Sequence, residues 1–202
     1  MPLWRPPQPL VLASTSSARR MLLEGAGIPV EVRPAMIDER AIEVRAALAR
    51  SGSVAALLAV AKARAVSASM PGRYVVGADQ TLALGERRFS KPGGRDGARE
   101  QLRALRGKTH MLHSGAAMVH DGRTLFEHVA AATLTMREFS DRFVEDYLDT
   151  VGEAATASVG GYQLEGVGAQ LFERVEGDYS TILGLPLLPV LDGLRRAGLL
   201  EA

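Results

Sequence analysis

The chain contains no cysteine, which excludes disulfides, thiolate nucleophiles and cysteine-ligated metals. It also lacks any apolar run near the ~18 residues of a membrane-spanning helix, and its proline-rich start, MPLWRPPQPL, has no signal-peptide core. Neither sign of charge is in excess, because 24 Lys and Arg balance 23 Asp and Glu, so no basic surface for nucleic acid is indicated. The sequence therefore predicts a cytoplasmic protein that binds neither membranes nor nucleic acids.

Several motifs of common nucleotide enzymes and metalloenzymes are also missing. The four histidines show no zinc-ligand spacing, and neither a P-loop nor a GxGxxG segment is present. These absences weaken the ATPase, dinucleotide-binding and zinc-hydrolase hypotheses. The chain does contain 47% hydrophobic residues over 202 positions, which is enough for a sizeable core without metal or disulfide support.

The most informative segment joins a short apolar run to a helical pattern near the N-terminus. Residues 9–14 are predicted to form a strand and residues 17–26 a helix, with hydroxyl residues between them. Hydroxyl side chains favour helix starts because they accept the first free backbone N–H groups. Arg19 and Arg20 in the first turn oppose the positive end of the helix dipole, which favours a bound anion such as phosphate. The alternative is two solvated arginines beside an ordinary cap.

The rest of the chain predicts a mixed α/β fold. Helical periodicity is found in four later segments: 53–70, 96–105, 140–148 and a terminal stretch to about 198. Strand character is found in four others: 29–33, 74–78, 109–119 and 124–136. An Asp-Gly pair between the last two predicts a hairpin, which favours a mixed sheet over a purely parallel one.

Two acidic residues are candidates for acid–base or metal chemistry. Asp79 directly follows an apolar strand that is predicted to end at Ala78, and ligands of α/β proteins bind beyond the carboxyl ends of strands. Partial burial there would raise the pKa of the carboxyl toward a value useful for proton transfer. Glu39 could join Asp79 around Mg²⁺, which takes one or two carboxylates plus substrate phosphates. The alternatives are an aspartate that caps a turn and a glutamate that complements a helix dipole.

Two lysines and a third acid are weaker candidates. Lys62 lies at the edge of the apolar face of its helix, where it either reaches water or points toward a phosphate. Lys91 precedes Pro92, which favours an extended backbone that presents the side chain stiffly, although a surface loop lysine is the simpler interpretation. Glu165 lies in the glycine-rich tract 160–168, where a backbone can approach a ligand closely, and an ordinary turn is the alternative.

Together these segments resemble the Maf family of nucleoside triphosphate pyrophosphatases, the septum formation inhibitor Maf-like proteins. The likeness runs in order from Leu10 to about Leu194, and its motifs are individually weak but specific as a set. They are Ser14–Arg20, Ile37-Asp38-Glu39, Ala61-Lys62-Ala63, Val76-Gly77-Ala78-Asp79, Lys91-Pro92, Gly107–His110, Gly161-Tyr162, Glu165-Gly166 and Gly184-Leu185-Pro186.

The resemblance implies a fold and a reaction. The expected fold is an elongated mixed β-sheet flanked by helices, with two lobes and a central cleft, in a single Maf-like (ITPase-like) domain over residues 1–202. Residues 1–8 are expected to be a flexible extension. The implied reaction converts nucleoside triphosphates to monophosphates and pyrophosphate, as house-cleaning of the nucleotide pool, with Mg²⁺ or Mn²⁺ as cofactor in a cytoplasmic homodimer. A non-enzymatic regulator of septum formation, acting through nucleotide or protein binding, is the alternative function.

The resemblance also assigns roles to individual positions. It implies that Asp79 is the proton acceptor and, with Glu39, a metal ligand. Phosphate contacts are implied for Ser14, Ser16, Arg19, Lys62 and Lys91. Three positions are implicated in choosing the base: Ala18, Gln80 and Glu165. Gln80 and Glu165 look like the subgroup associated with 7-methyl-GTP, whereas Ala18 matches neither that subgroup nor the one active on dTTP and UTP, so the preferred base stays open.

Overall fold

The computed structural model describes residues 3–46 and 50–201, and within them it shows one mixed sheet and seven α-helices. The strands are β1 (Leu10–Leu12), β2 (Val30–Val32), β3 (Tyr74–Leu84), β4 (Arg87–Phe89), β5 (Thr109–His120), β6 (Arg123–Met136) and β7 (Phe172–Glu176). The helices are α1 (Ser17–Gly25), α2 (Glu39–Arg45), α3 (Ser51–Ser67), α4 (Arg95–Leu105), α5 (Asp141–Val151), α6 (Tyr179–Ile182) and α7 (Leu187–Arg196). Three 3₁₀ helices cover Gly152–Thr156, Val159–Gly161 and Val167–Leu171.

The sheet combines parallel and antiparallel pairs in the order β2-β1-β3-β5-β6-β7, with β4 paired to β3. β1 pairs in parallel with β2 and β3, whereas the β3–β4 and β6–β7 pairs are antiparallel. Asp121 and Gly122 connect β5 to β6, and both have positive φ angles, 47° and 77°. Such a two-residue turn matches the twist of antiparallel strands. The predicted α/β class and the predicted hairpin are both confirmed.

The chain divides into two compact units, which are described separately. The first unit comprises Met1–Gln80, His113–Ala130 and Gly184–Ala202. The second unit comprises Thr81–Leu112 and Ala131–Leu183. Strands β3, β5 and β6 therefore contribute residues to both units. None of the helices within the described ranges is long and apolar enough to cross a membrane.

In the first unit, both faces of the sheet are buried. Alternate residues of β1 and β3 belong to two different clusters, as expected for a strand whose side chains point to opposite faces. One cluster joins the sheet to α3: Val11, Ala13, Ala63, Val66, Val75 and Val119. The other joins it to α1 and α7 and includes Leu10, Leu12, Leu23, Val76, Ala78, Met118 and Leu194. Burial on both faces explains why these strands are continuous apolar runs in the sequence.

The second unit has one larger core. Helix α4 contributes Ala98, Leu102 and Leu105, which recur at helical spacing, and α5 contributes Val144 and Leu148. Charged residues join the solvent sides of these two helices, where Arg99 Nε lies 2.5 Å from Glu145 Oε1. This unit also holds the aromatic residues Phe89, Phe139, Tyr147 and Tyr162.

Within the described residues, the N-terminal segment contacts the C-terminal end of the chain. Trp4 is only 8% exposed, pairs with Leu200 in an isolated antiparallel bridge and belongs to the core of the first unit. Its indole Nε1 donates to the carbonyl of Gln8 at 3.0 Å. The large indole ring of Trp4 is therefore buried against the C-terminal residues.

Two glycines let helix α3 lie directly on the sheet. A Cβ atom at Gly77 would lie 2.7 Å from the backbone nitrogen of Ala63, and one at Gly115 would lie 2.8 Å from that of Ala56. Real Cβ atoms do not approach backbone so closely, so any side chain here would push the helix away. The close approach of α3 and β3 brings the helix residues next to Ala63 close to the strand residues next to Gly77.

Replacing Gly77 with alanine is expected to lower the free energy of unfolding by about 1–3 kcal/mol, because the added methyl overpacks the interface between α3 and β3. The matched control is Gly25→Ala at the last position of α1, where no atom lies within 4 Å of the added methyl. Alanine there should leave stability unchanged or raise it by up to about 1 kcal/mol. Urea unfolding of the three proteins measures both changes. Identical midpoints for wild type and Gly77→Ala would contradict the packing described.

Candidate active site

The start of helix α1 is capped as the sequence predicts and keeps two backbone donors available. Ser16 is the N-cap, and its Oγ accepts from the backbone N–H of Arg19 at 3.3 Å. Ser14, which is buried, accepts from the N–H of Ser16 at 3.2 Å. The N–H groups of Ser17 and Ala18 have no acceptor within residues 3–46 and 50–201. Free N–H groups at a helix start are donors of the kind that suit an anion, and the two serine hydroxyls lie beside them.

Arg19 turns away from its own helix and connects three parts of the first unit. Its Nε donates to the carbonyl of Gly184 at 2.8 Å, and its Nη1 donates to the carbonyl of Ala78 at 2.9 Å and to Ser14 Oγ at 3.1 Å. Burial lowers the pKa of Arg19, while the Asp79 carboxylate opposes this effect, and a guanidinium keeps its charge in proteins.

The second arginine of the turn also has a protein partner, because Arg20 Nε lies 3.4 Å from Glu24 Oε2 on the exposed side of α1. The cationic first turn therefore does not by itself require an anion. Partners elsewhere in the chain explain Arg19, and an ordinary ion pair along the helix explains Arg20. The free N–H groups of Ser17 and Ala18 are the feature of this helix start that favours an anion.

The centre of the candidate site is a buried lysine between two carboxylates. Lys62 Nζ donates to Asp79 Oδ1 at 2.5 Å and lies 3.0 Å from Glu39 Oε1. Lys62 is 8% exposed and Asp79 7%, whereas half of the Glu39 side chain is exposed. The alternative in which Lys62 reaches out to water is thereby excluded, and its ammonium holds the two predicted acids together.

Burial and charge act in opposite directions on Asp79. Burial raises the pKa of its carboxyl above the usual value, and the cations of Lys62 and Arg19 oppose this by favouring the carboxylate. Glu39 adds a smaller effect that again raises the pKa of Asp79. A carboxylate in such surroundings is a better proton acceptor than an ordinary surface aspartate, which is the property required of a general base.

The position of Asp79 in the fold differs from the prediction. It was expected at the end of a strand over residues 74–78, but it lies inside β3, which continues to Leu84. The adjacent β1 is the strand that ends here, because its last residue is Leu12 and pairs with Val76. Asp79 therefore lies beyond the carboxyl end of β1, where the chain leaves the sheet toward Ser14. The rule about strand ends applies, but to the neighbouring strand.

Glu39 combines the two interpretations that the sequence left open. It is the first residue of α2, which is capped by Asp38 accepting from the N–H of Ala41 at 2.9 Å. Glu39 thus complements the dipole of α2 and also faces Lys62. In the described part of the chain, no group of three or more His, Cys, Asp or Glu side chains could hold a metal ion. Any cation here would have two protein carboxylates at most.

The base-choosing positions divide between the two units. In the first unit, Ala18 is half-buried in the first turn of α1, and the Gln80 amide donates to Ser114 Oγ at 3.0 Å. In the second unit, Glu165 is exposed in a turn closed by the N–H of Gly166 donating to the carbonyl of Gln163 at 3.3 Å. Lys91, the last predicted phosphate contact, is exposed in the second unit between β4 and α4. Within the first unit, hydrogen bonds connect Ser14, Ser16 and Arg19. Ion pairs connect Lys62 to Asp79 and Glu39.

Residues 9–197 match the family described as "Maf-like protein". The chain belongs to the Maf family. A relative named nucleoside triphosphate pyrophosphatase from Nitrobacter winogradskyi is 56% identical over 201 residues, with 100% of both chains covered. Another relative of that name, from Rhodopseudomonas palustris, is 57% identical over 200 residues, with 99% of each chain covered.

Two further comparisons concern substrate and structure. A relative from Rhizobium etli named 7-methyl-GTP pyrophosphatase is 53% identical over 194 residues, covering 95% of this Maf chain and 98% of the relative. The solved structure of a HAM1 protein from Coxiella burnetii is similar over 63% of this chain and 72% of its own, with a TM-score of 0.40 and 14% identity.

The groups that orient Arg19 and Gln80 in this Maf chain were not predicted from the sequence. The carbonyls of Ala78 and Gly184 carry no residue-specific signal, because every residue has a carbonyl. Ser114 could have been found from its place beside Gly115 in a β-prone run, where a polar residue needs a partner once buried.

Proposed function

We propose that this chain hydrolyses nucleoside triphosphates between the α- and β-phosphates, releasing a nucleoside monophosphate and pyrophosphate. The observation that carries the proposal is the buried Lys62 ammonium between Asp79 and Glu39, in the same unit as the free N–H groups at the start of α1. Relatives 56% and 57% identical over nearly the whole chain are named nucleoside triphosphate pyrophosphatases, which supports the reaction class.

The cationic and N–H groups are proposed to hold the polyphosphate. Phosphoryl transfer depends mainly on positioning and on neutralising charge that spreads over the phosphate oxygens. The N–H groups of Ser17 and Ala18 and the hydroxyls of Ser14 and Ser16 suit phosphate oxygens. Arg19 and Lys62 supply positive charge, and Arg19 also fixes the helix start through its carbonyl contacts. Lys91 stays a prediction for a further phosphate contact.

Asp79 is proposed to accept the proton of the attacking water. As the new bond forms between the water oxygen and phosphorus, the bridging bond between the α- and β-phosphates breaks, and the pyrophosphate departs with the bonding electrons. Burial raises the pKa of Asp79, which improves its capacity to take the proton. The positive charges of Lys62 and Arg19 act in the opposite direction and favour the ionised carboxylate.

A divalent cation, Mg²⁺ or Mn²⁺, is proposed as cofactor. The donor set fits, because hard cations of this kind take one or two carboxylates and complete their coordination with substrate phosphates. Glu39 and Asp79 would hold the ion, and its chemistry would be to neutralise charge on the phosphate oxygens. Because the described residues offer only these two carboxylates, we expect the free protein to bind the ion weakly and the nucleotide to strengthen binding.

The proposed base preference is a purine, with 7-methyl-GTP as the test substrate. Glu165 is an exposed carboxylate, which can accept hydrogen bonds from the N–H edge of a guanine. A relative 53% identical to this chain is named 7-methyl-GTP pyrophosphatase, which supports the choice. We further propose that the chain works as a cytoplasmic homodimer, as the resemblance implies. Sedimentation of the pure protein tests the dimer, and cell fractionation tests the location.

The test of the proposed function is pyrophosphate release from 7-methyl-GTP, dTTP, UTP and CTP, with Mg²⁺ and with excess chelator. We expect one pyrophosphate per monophosphate, loss of at least ~100-fold in rate without the cation, and the highest kcat/KM for 7-methyl-GTP. Release of single phosphates would contradict the bond assignment. Full activity in chelator would contradict the cofactor, and a preference for a pyrimidine would contradict the role of Glu165.

A further inference from the structure

The core of the second unit contains a buried polar pair that the proposed mechanism does not use. His110 is 1% exposed, Tyr162 is 4% exposed, and His110 Nε2 lies 2.7 Å from the hydroxyl of Tyr162. The ring of Phe172 packs edge-on against Tyr162, with ring centroids 4.8 Å apart. The pair thus lies among apolar and aromatic groups, where a hydrogen bond is strong and an unpaired polar atom is costly.

The His110–Tyr162 pair is less favourable for stability than an apolar pair would be. Burial lowers the pKa of His110 to about 4, so the imidazole is neutral near pH 7. Its other nitrogen, Nδ1, is buried and has no hydrogen-bond partner in the described residues. Two apolar side chains of similar size would fill the space without this cost. What the polar pair adds is direction, because the hydrogen bond fixes where the Tyr162 ring stands.

Tyr162 is the last residue of the backbone segment 160–162, and hydrogen bonds also hold the two residues before it. The N–H of Gly160 donates to Gln101 Oε1 at 2.8 Å, and the hydroxyl of Tyr147 donates to the carbonyl of Gly161 at 3.2 Å. Gly160 and Gly161 have φ angles of 89° and 76°, in the region that side chains avoid. Helices α4 and α5 and strand β5 therefore each hold one point of this short segment.

Segment 160–162 is followed directly by the exposed turn that contains Glu165. The turn spans residues 163–166. Beyond it, Gly168 packs against the backbone of Gln163, since a Cβ atom at Gly168 would lie 2.9 Å from the Gln163 nitrogen. Only Gln163 and Leu164 separate Tyr162 from Glu165. Because the hydrogen bond from Gly166 to Gln163 closes this turn, a shift of the Tyr162 backbone would displace the turn that carries Glu165.

We propose that His110 and Tyr162 are positioning residues for recognition of a purine base, holding the backbone from which Glu165 projects. This inference rests on the proposed function and deepens it. The pair touches neither the base nor the phosphates, so it acts on the choice of nucleotide through Glu165. Loss of the hydrogen bond should weaken discrimination between bases and leave the chemical step unchanged.

The experiment compares Tyr162→Phe with wild type in kcat and KM for 7-methyl-GTP and UTP. We expect the ratio of the two kcat/KM values to fall by about tenfold, through a higher KM for 7-methyl-GTP, with kcat for UTP within about twofold of wild type. Tyr179→Phe makes the same chemical change at an exposed position of the same unit and should leave both values unchanged. A smaller fraction of folded protein would lower the apparent kcat for both substrates by the same factor, so it would not change the ratio of the two kcat/KM values.

Two further variants test the route through Glu165. In a Glu165→Gln background, Tyr162→Phe should change the ratio by less than about twofold, because coupled residues are not additive. His110→Gln, which retains a hydrogen-bonding group, should keep more of the wild-type ratio than His110→Leu. An unchanged ratio in Tyr162→Phe, additive effects with Glu165→Gln, or a wild type that does not distinguish the two nucleotides would each overturn the inference. A wild type that releases no pyrophosphate from any nucleotide would instead refute the proposed function.

Discussion

Asp79→Asn is expected to reduce pyrophosphate release by ~100-fold or more while the chain still folds. Asparagine keeps the size of the side chain but cannot take a proton from water. The structure limits the structural damage, because Lys62 keeps Glu39 as a partner at 3.0 Å, and Arg19 keeps its contacts to the Ala78 and Gly184 carbonyls. Steady-state assays with Mg²⁺ and saturating nucleotide measure the loss, and thermal unfolding measures stability.

The matched control for this change is Asp192→Asn. Asp192 is an exposed residue of α7 that pairs with Arg196 at 2.6 Å, and such surface pairs contribute little to stability. This variant should retain full activity. If Asp79→Asn keeps activity within a few-fold of wild type, Asp79 is not the proton acceptor. If it loses activity together with its folded structure, the effect on chemistry must be measured on the remaining folded fraction.

Local patterns predicted those parts of the site whose geometry is local. Ser16 was expected near the start of α1 because a hydroxyl residue before a helical run accepts a free N–H, and the structure places it at the N-cap. The hairpin at Asp121 and Gly122 was predicted for the same kind of reason, since the two-residue turn requires positive φ angles. In both cases the determining contacts lie within a few residues along the chain.

The length of β3 could not be predicted locally. The polar residues Asp79 and Gln80 interrupt the apolar run and indicate a strand end, yet the strand continues to Leu84. Its continuation depends on pairing, because Leu82 to Leu84 oppose Arg87 to Phe89 of β4. Asp79 is tolerated inside the strand because Lys62, from another element, lies against its carboxylate. Tertiary partners therefore override the local pattern here.

The direction of Lys62 was the other point that the sequence left open. A lysine at the edge of an apolar helix face can reach water or turn inward, and periodicity does not distinguish the two. The close approach of α3 to β3 at Gly77 decides the question by bringing this turn of the helix against the strand. A single glycine in the strand was the available signal, because glycine inside a strand often marks a close backbone approach.

Lys62→Met is expected to lower both activity and stability. Methionine keeps the apolar stem but removes the ammonium that lies 2.5 Å from Asp79, leaving a carboxylate that is almost fully buried without its nearest cation. Removing one partner of a buried pair typically costs about 3–5 kcal/mol of unfolding free energy. Without Lys62 the pKa of Asp79 rises further. The variant also lacks the positive charge proposed to neutralise the phosphate oxygens, so we expect at least ~100-fold lower activity. Lys108→Met, at an exposed position, is the control and should change neither property.

The double variant Lys62→Met/Asp79→Asn distinguishes an electrostatic cause from poor packing of methionine. Because asparagine removes the unpaired buried charge, the double variant should unfold at a higher urea concentration than Lys62→Met alone, while its activity stays as low as that of Asp79→Asn. If the methionine simply packs badly, the two stability losses should add and the double variant should be the least stable of the three. Recovery of stability without recovery of activity would therefore indicate that the Lys62–Asp79 pair contributes both to the stability of the fold and to catalysis.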